Sequence, residues 1–132
     1  MVIIMLTVGI KGTQSVTVAN DNTAAAMGSG TLAVFATPAM IALMEKTAYI
    51  SVQNELDEGC GSVGTLLNVK HLAATPVGMQ VTCESELVEI DGRRLVFTVK
   101  AYDEKGLIGE GTHERFIVQN EKFLAKTNAK KG

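Results

Sequence analysis

Glu45 is the residue whose surroundings point most directly to chemistry. At 3.6 residues per helical turn, its neighbours three and four positions away are Ile41, Ala42, Ala48 and Tyr49, none of them charged. A carboxylate on such an apolar stripe must be paired, protonated or put to use, as a general base or a nucleophile. The two histidines are the other groups that exchange protons near neutrality. Taken alone, His71 reads as a core histidine bonded to backbone. His113, in the run "THER", reads as structural, with Glu114 and Arg115 forming a solvated or interfacial ion pair. Cys60 and Cys83 stand 23 positions apart with no CxxC or CxxH pattern, which fits reduced thiols and gives no metal site.

The elements that must position Glu45 are legible from turn and cap signals. Ser15 to Ala19 reads as a strand, and Asn20 to Gly30, small and polar, reads as a loop able to lie over something. Thr37 reads as an N-cap with Pro38 at the first helical position, and the helical pattern runs to about Leu56, before Asp57, Glu58 and Gly59. Met40, Leu43 and Met44 widen the apolar surface until most of the helix circumference should be covered. Four β-prone runs follow: Val63 to Leu72, Met79 to Ile90, Arg94 to Tyr102 and Leu107 to Val118. Turn signals at residues 75–78, 91–92 and 103–106 separate them, so the last strands should form an antiparallel meander. One apolar helix and about five antiparallel strands imply an α+β hotdog fold, a curved sheet wrapped around a long central helix.

With 132 residues and 46% hydrophobic content, the chain reads as a single hotdog domain over residues 1–132. Residues 119–132 form a C-terminal tail or short helix in this reading. The formal charge of -2 argues against a general nucleic-acid binder. No stretch approaches the roughly 20 apolar residues of a membrane span. Met1 to Leu6 is too short, and lacks the basic flank, to read as a signal peptide, so the expected compartment is the cytoplasm.

The segments "VFATPAMIALMEKTA" from Val34, "GSVGTLLNVKHLAATPVG" from Gly61 and "GEGTHERFIV" from Gly109, with Asp21 to Thr23 and Gly28 to Gly30, resemble the hotdog thioesterases related to fluoroacetyl-CoA thioesterase. The resemblance extends from Leu6 to the "EKFLAK" at Glu121. It implies an acyl-CoA thioester hydrolase that needs no cofactor, with a catalytic Thr, Glu and His matching Thr37, Glu45 and His71. It also implies a substrate-binding glycine, matching Gly64, that approaches the thioester carbonyl. Small residues (Ala24, Ala25, Ala26 and Gly28) occupy the loop where fluoroacetate-selective members resemble one another in carrying phenylalanines over the pocket. That difference implies a broader short-chain acyl substrate.

The residues can support these roles on physical grounds. Thr37 and Glu45 are eight positions apart, about 12 Å along a helix axis, leaving room for a water molecule or a thioester carbon between them. The helix N-terminus offers partial positive charge to an oxyanion. If its strand is regular, His71 shares a face with Val63, Thr65, Leu67 and Val69, and its imidazole points to the apolar side, where it can activate water. Glu45 as the base, or as a nucleophile giving a transient anhydride, remain open alternatives. Without the resemblance, Thr37 is a plain cap, Glu45 a helix residue reaching solvent at a dimer edge, and Gly64 a bulge or packing contact. Arg93, Arg94, Lys122, Lys126, Lys130 and Lys131 are basic enough to meet coenzyme A phosphates, yet a basic tail more often only solvates, so none is assigned. The sheet edge of such a fold invites pairing, so a homodimer with sites at the subunit interface is expected. The alternative function is a non-catalytic acyl-CoA or small-ligand binding module.

Overall fold

The computed structural model describes residues 6–132; residues 1–5, on which most of the signal-peptide reading falls, lie outside the described residues. Strand β1 (Lys11–Thr17) is followed by a one-turn helix α1 (Ala24–Met27) and the long helix α2 (Thr37–Gln53). Four strands come next: β2 (Cys60–His71), β3 (Gln80–Asp91), β4 (Arg94–Asp103) and β5 (Gly106–Gln119). Helix α3 (Asn120–Asn128) and a 3-10 turn (Ala129–Lys131) close the chain. The sheet order is β1-β3-β4-β5-β2, with every neighbouring pair antiparallel. The expected meander is β3, β4 and β5; β2 crosses over to pair with β5 and forms one edge of the sheet.

Helix α2 touches all five strands, as a curved sheet around a central helix requires. Its buried face is Met40, Leu43, Met44, Thr47, Ala48 and Val52. These pack against Val81, Cys83 and Leu87 of β3 and Leu95, Phe97, Val99 and Ala101 of β4, the inward positions of alternating strands. Each large apolar side chain fully buried there contributes on the order of 1.5–3 kcal/mol. The helix is less enclosed than its composition implies. Pro38, Ala42, Lys46, Tyr49 and Ile50 are exposed, because within one chain the sheet covers only one side.

Three local readings are corrected. The N-cap of α2 is Ala36, with no side-chain capping bond, and Thr37 is the first helical residue, so its hydroxyl is not spent on the helix end. The helix ends at Gln53, and residues 54–56 continue as turns bonded to Val52 and Gln53. The loop after β1 contains α1, capped by the Thr23 hydroxyl accepting from the Ala26 amide at 3.2 Å and ended by Gly28 at φ +73°.

The fourth correction concerns strand parity. In β2 the pairing with β5 shifts between Gly64 and Leu66, so Thr65 is an extra, bulged residue. Its hydroxyl donates to the Glu114 carbonyl at 3.2 Å. Leu67, Val69 and His71 face the helix as expected, but Val63 moves to the outer face opposite exposed Phe116, and Gly64 turns inward opposite Arg115. A regular strand would place Gly64 and His71 on opposite faces; the bulge puts both on one.

Candidate active site

His71 is the last residue of β2, and its partner across the ladder is Gly109 on β5. A side chain at Gly109 would begin 2.5 Å from Met40 Sδ and 2.9 Å from the Lys70 carbonyl, so the glycine is what lets the first turns of α2 rest on this end of the sheet. Thr37, one turn before Met40, is thereby delivered to His71. Its Oγ1 lies 2.7 Å from His71 Nδ1. Burial holds the His71 pKa below its ordinary value of 6.5, opposed in part by the backbone of Ala73. The imidazole is therefore neutral near pH 7 and able to accept a proton. Thr37 and His71 line a cavity of about 280 Å³ with Ala24 and Ser29 from the loop segment and Phe35 beside the helix start.

Glu45 lies two turns further along α2, at a second cluster. Its Oε2 is 3.5 Å from Arg115 Nη1, and its side chain is 40% exposed. The Arg115 guanidinium is nearly enclosed. Nε donates to Ser62 Oγ at 2.7 Å, Nη2 to the Ser62 carbonyl at 2.8 Å, and Nη1 lies 3.1 Å from His113 Nε2. The Tyr49 ring packs over it, with 5.7 Å from Cζ to the ring centre. Gly64, opposite Arg115, leaves the space for the carboxylate: a Cβ there would sit 2.5 Å from Glu45 Oε2, 3.3 Å from His113 Cε1 and 3.4 Å from Arg115 Nη1. Since the nearest of these atoms ends a flexible side chain, Gly64→Ala should leave the thermal midpoint almost unchanged. It should displace the Glu45 carboxylate and lower turnover by about tenfold or more. A variant that melts normally and turns over at the wild-type rate would show that the carboxylate's position is irrelevant.

Of the residues singled out from sequence, the structure brings Thr37 to His71 and Glu45 to Gly64. Within one chain it does not bring the two pairs together. The seven steps of β2 from Gly64 to His71 span roughly 20 Å. The expected Glu114–Arg115 pair does not form, because adjacent strand residues face opposite ways. Glu114 bonds Arg94 at 2.7 Å on the outer face, where Arg94 also meets Glu89, and Arg115 turns inward. Arg115 and His113, which the sequence reads as structural, stand beside Glu45; their signal is the i, i+2 spacing that puts both on the inner face with Gly109 and Gly111. Among the described residues no group of three or more His, Cys, Asp or Glu side chains could hold a metal ion.

Comparison with known proteins identifies the family of the chain. Residues 18–121 match the family of fluoroacetyl-CoA-specific thioesterases. A fluoroacetyl-CoA thioesterase of Streptantibioticus cattleyicolor is 46% identical over 97 residues, 74% of this chain and 70% of that protein. A variant of fluoroacetyl-CoA thioesterase solved in complex with acetyl-CoA has a TM-score of 0.91 at 37% identity, covering 96% of this chain and 100% of that one. A thioesterase superfamily member from Thermus thermophilus gives a TM-score of 0.87 at 28% identity, over 95% of this chain and 93% of that one. The match over most of its length, in sequence and in fold, means that the chain belongs to the fluoroacetyl-CoA-specific thioesterase family, thioester hydrolases of the hotdog fold.

Proposed function

We propose that this protein hydrolyses small or short-chain acyl-CoA thioesters, with Thr37, Glu45 and His71 as the catalytic set and Gly64 beside the bound substrate. The observation that carries the reading is the 2.7 Å contact between Thr37 and His71 at the start of a helix whose cap residue, Ala36, supplies no side-chain acceptor. The free N–H groups of that first turn suit the oxyanion of a tetrahedral intermediate. Neutral His71 takes a proton from the attacking water while its ring is steadied by Thr37, and the water oxygen bonds to the thioester carbon. Collapse of the intermediate breaks the carbon–sulfur bond, and the leaving thiolate takes the proton back. Glu45, with Arg115 against its carboxylate, orients the water; the adjacent guanidinium makes it a weaker nucleophile, which disfavours an anhydride route.

The separation of the two clusters within one chain supports a homodimer whose sites combine them. Strand β2 carries both Gly64 and His71 at the sheet edge. Antiparallel pairing of β2 with a second copy, in the register that sets Gly64 against His71 of that copy, brings Glu45 of one chain toward Thr37 and His71 of the other. Cys60 and Cys83 are free thiols, which fits the reducing cytoplasm.

The acyl preference follows from what lines the cavity. Ala24 and Ser29 supply the loop's share of the wall, with Phe35 the aromatic among its lining residues, so the cavity tolerates acyl groups beyond two carbons. Free-thiol release measured on acetyl-, fluoroacetyl-, propionyl- and butyryl-CoA should show turnover of several at comparable kcat/KM. Hydrolysis of fluoroacetyl-CoA alone would overturn the broad preference. Binding without thiol release from any of them would select the non-catalytic module instead.

A further inference from the structure

His113 is fully buried on the inner face of β5, its ring stacked near Phe97 of β4 with 6.1 Å between ring centres. Its Nδ1 lies 2.9 Å from the Leu66 carbonyl and its Nε2 lies 3.1 Å from Arg115 Nη1. A carbonyl oxygen only accepts and a guanidinium only donates. The hydrogen is therefore on Nδ1, and Nε2 presents its lone pair to Arg115. A second proton on this ring would set N–H against N–H. Burial, and to a smaller degree the charge of Arg115, keep the pKa below its ordinary value, although the Leu66 carbonyl and Glu45 pull the other way.

This lone pair completes the fixing of Arg115. Ser62 holds Nε and Nη2, and His113 holds Nη1. A guanidinium bound at all three nitrogens and only 7% exposed has one pose, and in that pose Nη1 stands 3.5 Å from Glu45 Oε2. We infer that His113, as a neutral Nδ1–H tautomer, is a positioning residue for the reaction: it orients Arg115, which in turn sets where the Glu45 carboxylate stands. The inference rests on the thioesterase reading above.

Two substitutions separate the bonds His113 makes. His113→Asn keeps a donor near the Nδ1 position for the Leu66 carbonyl and leaves Arg115 Nη1 without its acceptor; His113→Gln places an oxygen near the Nε2 position and restores that acceptor. With the acyl-CoA the wild type hydrolyses best, Asn should lower kcat by about tenfold or more with KM within about twofold, and Gln should stay within about threefold of wild type, at similar thermal midpoints. Nitrogen-15 spectra of the wild-type ring should show Nδ1 protonated and Nε2 bare at neutral pH. Wild-type kcat in the Asn variant, losses in both variants that merely follow their stability, or a ring protonated at Nε2 would overturn the positioning role. A wild type that releases no thiol from any acyl-CoA would remove the thioesterase reading first, and this inference with it.

Discussion

Glu45→Ala should lower kcat by about a hundredfold or more on the preferred acyl-CoA while leaving the protein folded. The side chain is 40% exposed, so its removal opens no sealed cavity; the cost is to leave the Arg115 guanidinium without its counter-charge. That cost differs from the catalytic one, and the two can be measured apart. Thermal unfolding reports the first, with an expected loss of on the order of 1–3 kcal/mol. Steady-state thiol release reports the second. Glu45→Gln, which keeps the shape and a hydrogen-bond acceptor but not the charge, should be as slow as Glu45→Ala if the carboxylate acts on the water. Wild-type turnover in both variants would take Glu45 out of the chemistry.

His71→Ala should have an effect of similar size, about a hundredfold or more in kcat, because it removes both the proton acceptor and the partner that fixes the Thr37 hydroxyl. The pH profile adds an independent check. The competent form is the neutral ring, present above its pKa, and burial moves that pKa below 6.5. The acid limb of kcat/KM should therefore have its midpoint under pH 6.5, and activity should persist while an ordinary histidine would already be charged. A limb centred above 6.5 would contradict the assignment of His71 as base. The two inactive variants also test subunit sharing. If each site takes Glu45 from one chain and His71 from the other, a dimer of one Glu45→Ala and one His71→Ala chain has one intact site. An equal mixture should then recover roughly a quarter of the wild-type rate once subunits exchange. No recovery, with exchange verified, would place all the groups of a site on one chain.

The elements were legible because their signals are local. Pro38 near the start of an apolar run marks a helix beginning, and the Asp91-Gly92 and residue 103–106 turns bound strands whose observed limits differ from expectation by a residue or so. Thr37 and His71 were singled out as candidates through the family resemblance, and their 2.7 Å contact follows from two elements set in the right order. What could not be read is what depends on distant partners. Arg115 looks like half of a surface pair with Glu114 until one knows that Ser62, His113 and Glu45, from as far as 70 positions away, surround its guanidinium. At Gly64 the sequence offered a bulge or a packing contact; that the shift falls at Thr65 and turns Gly64 toward the helix depends on how β2 aligns with β5, which "VGTLL" does not announce.

Thr65 acts as a phase inserter. A strand alternates strictly, so a segment of fixed length can ordinarily offer an even-numbered and an odd-numbered position to a helix only by giving up one of them. With one residue out of step, β2 serves two stations on the same side, Gly64 making room for the acid and His71 holding the imidazole, each under a different stretch of α2. A β2 of the same sequence paired with β5 in unbroken register, Thr65 taking an ordinary place in the ladder, would have to choose which half of the machinery to turn outward.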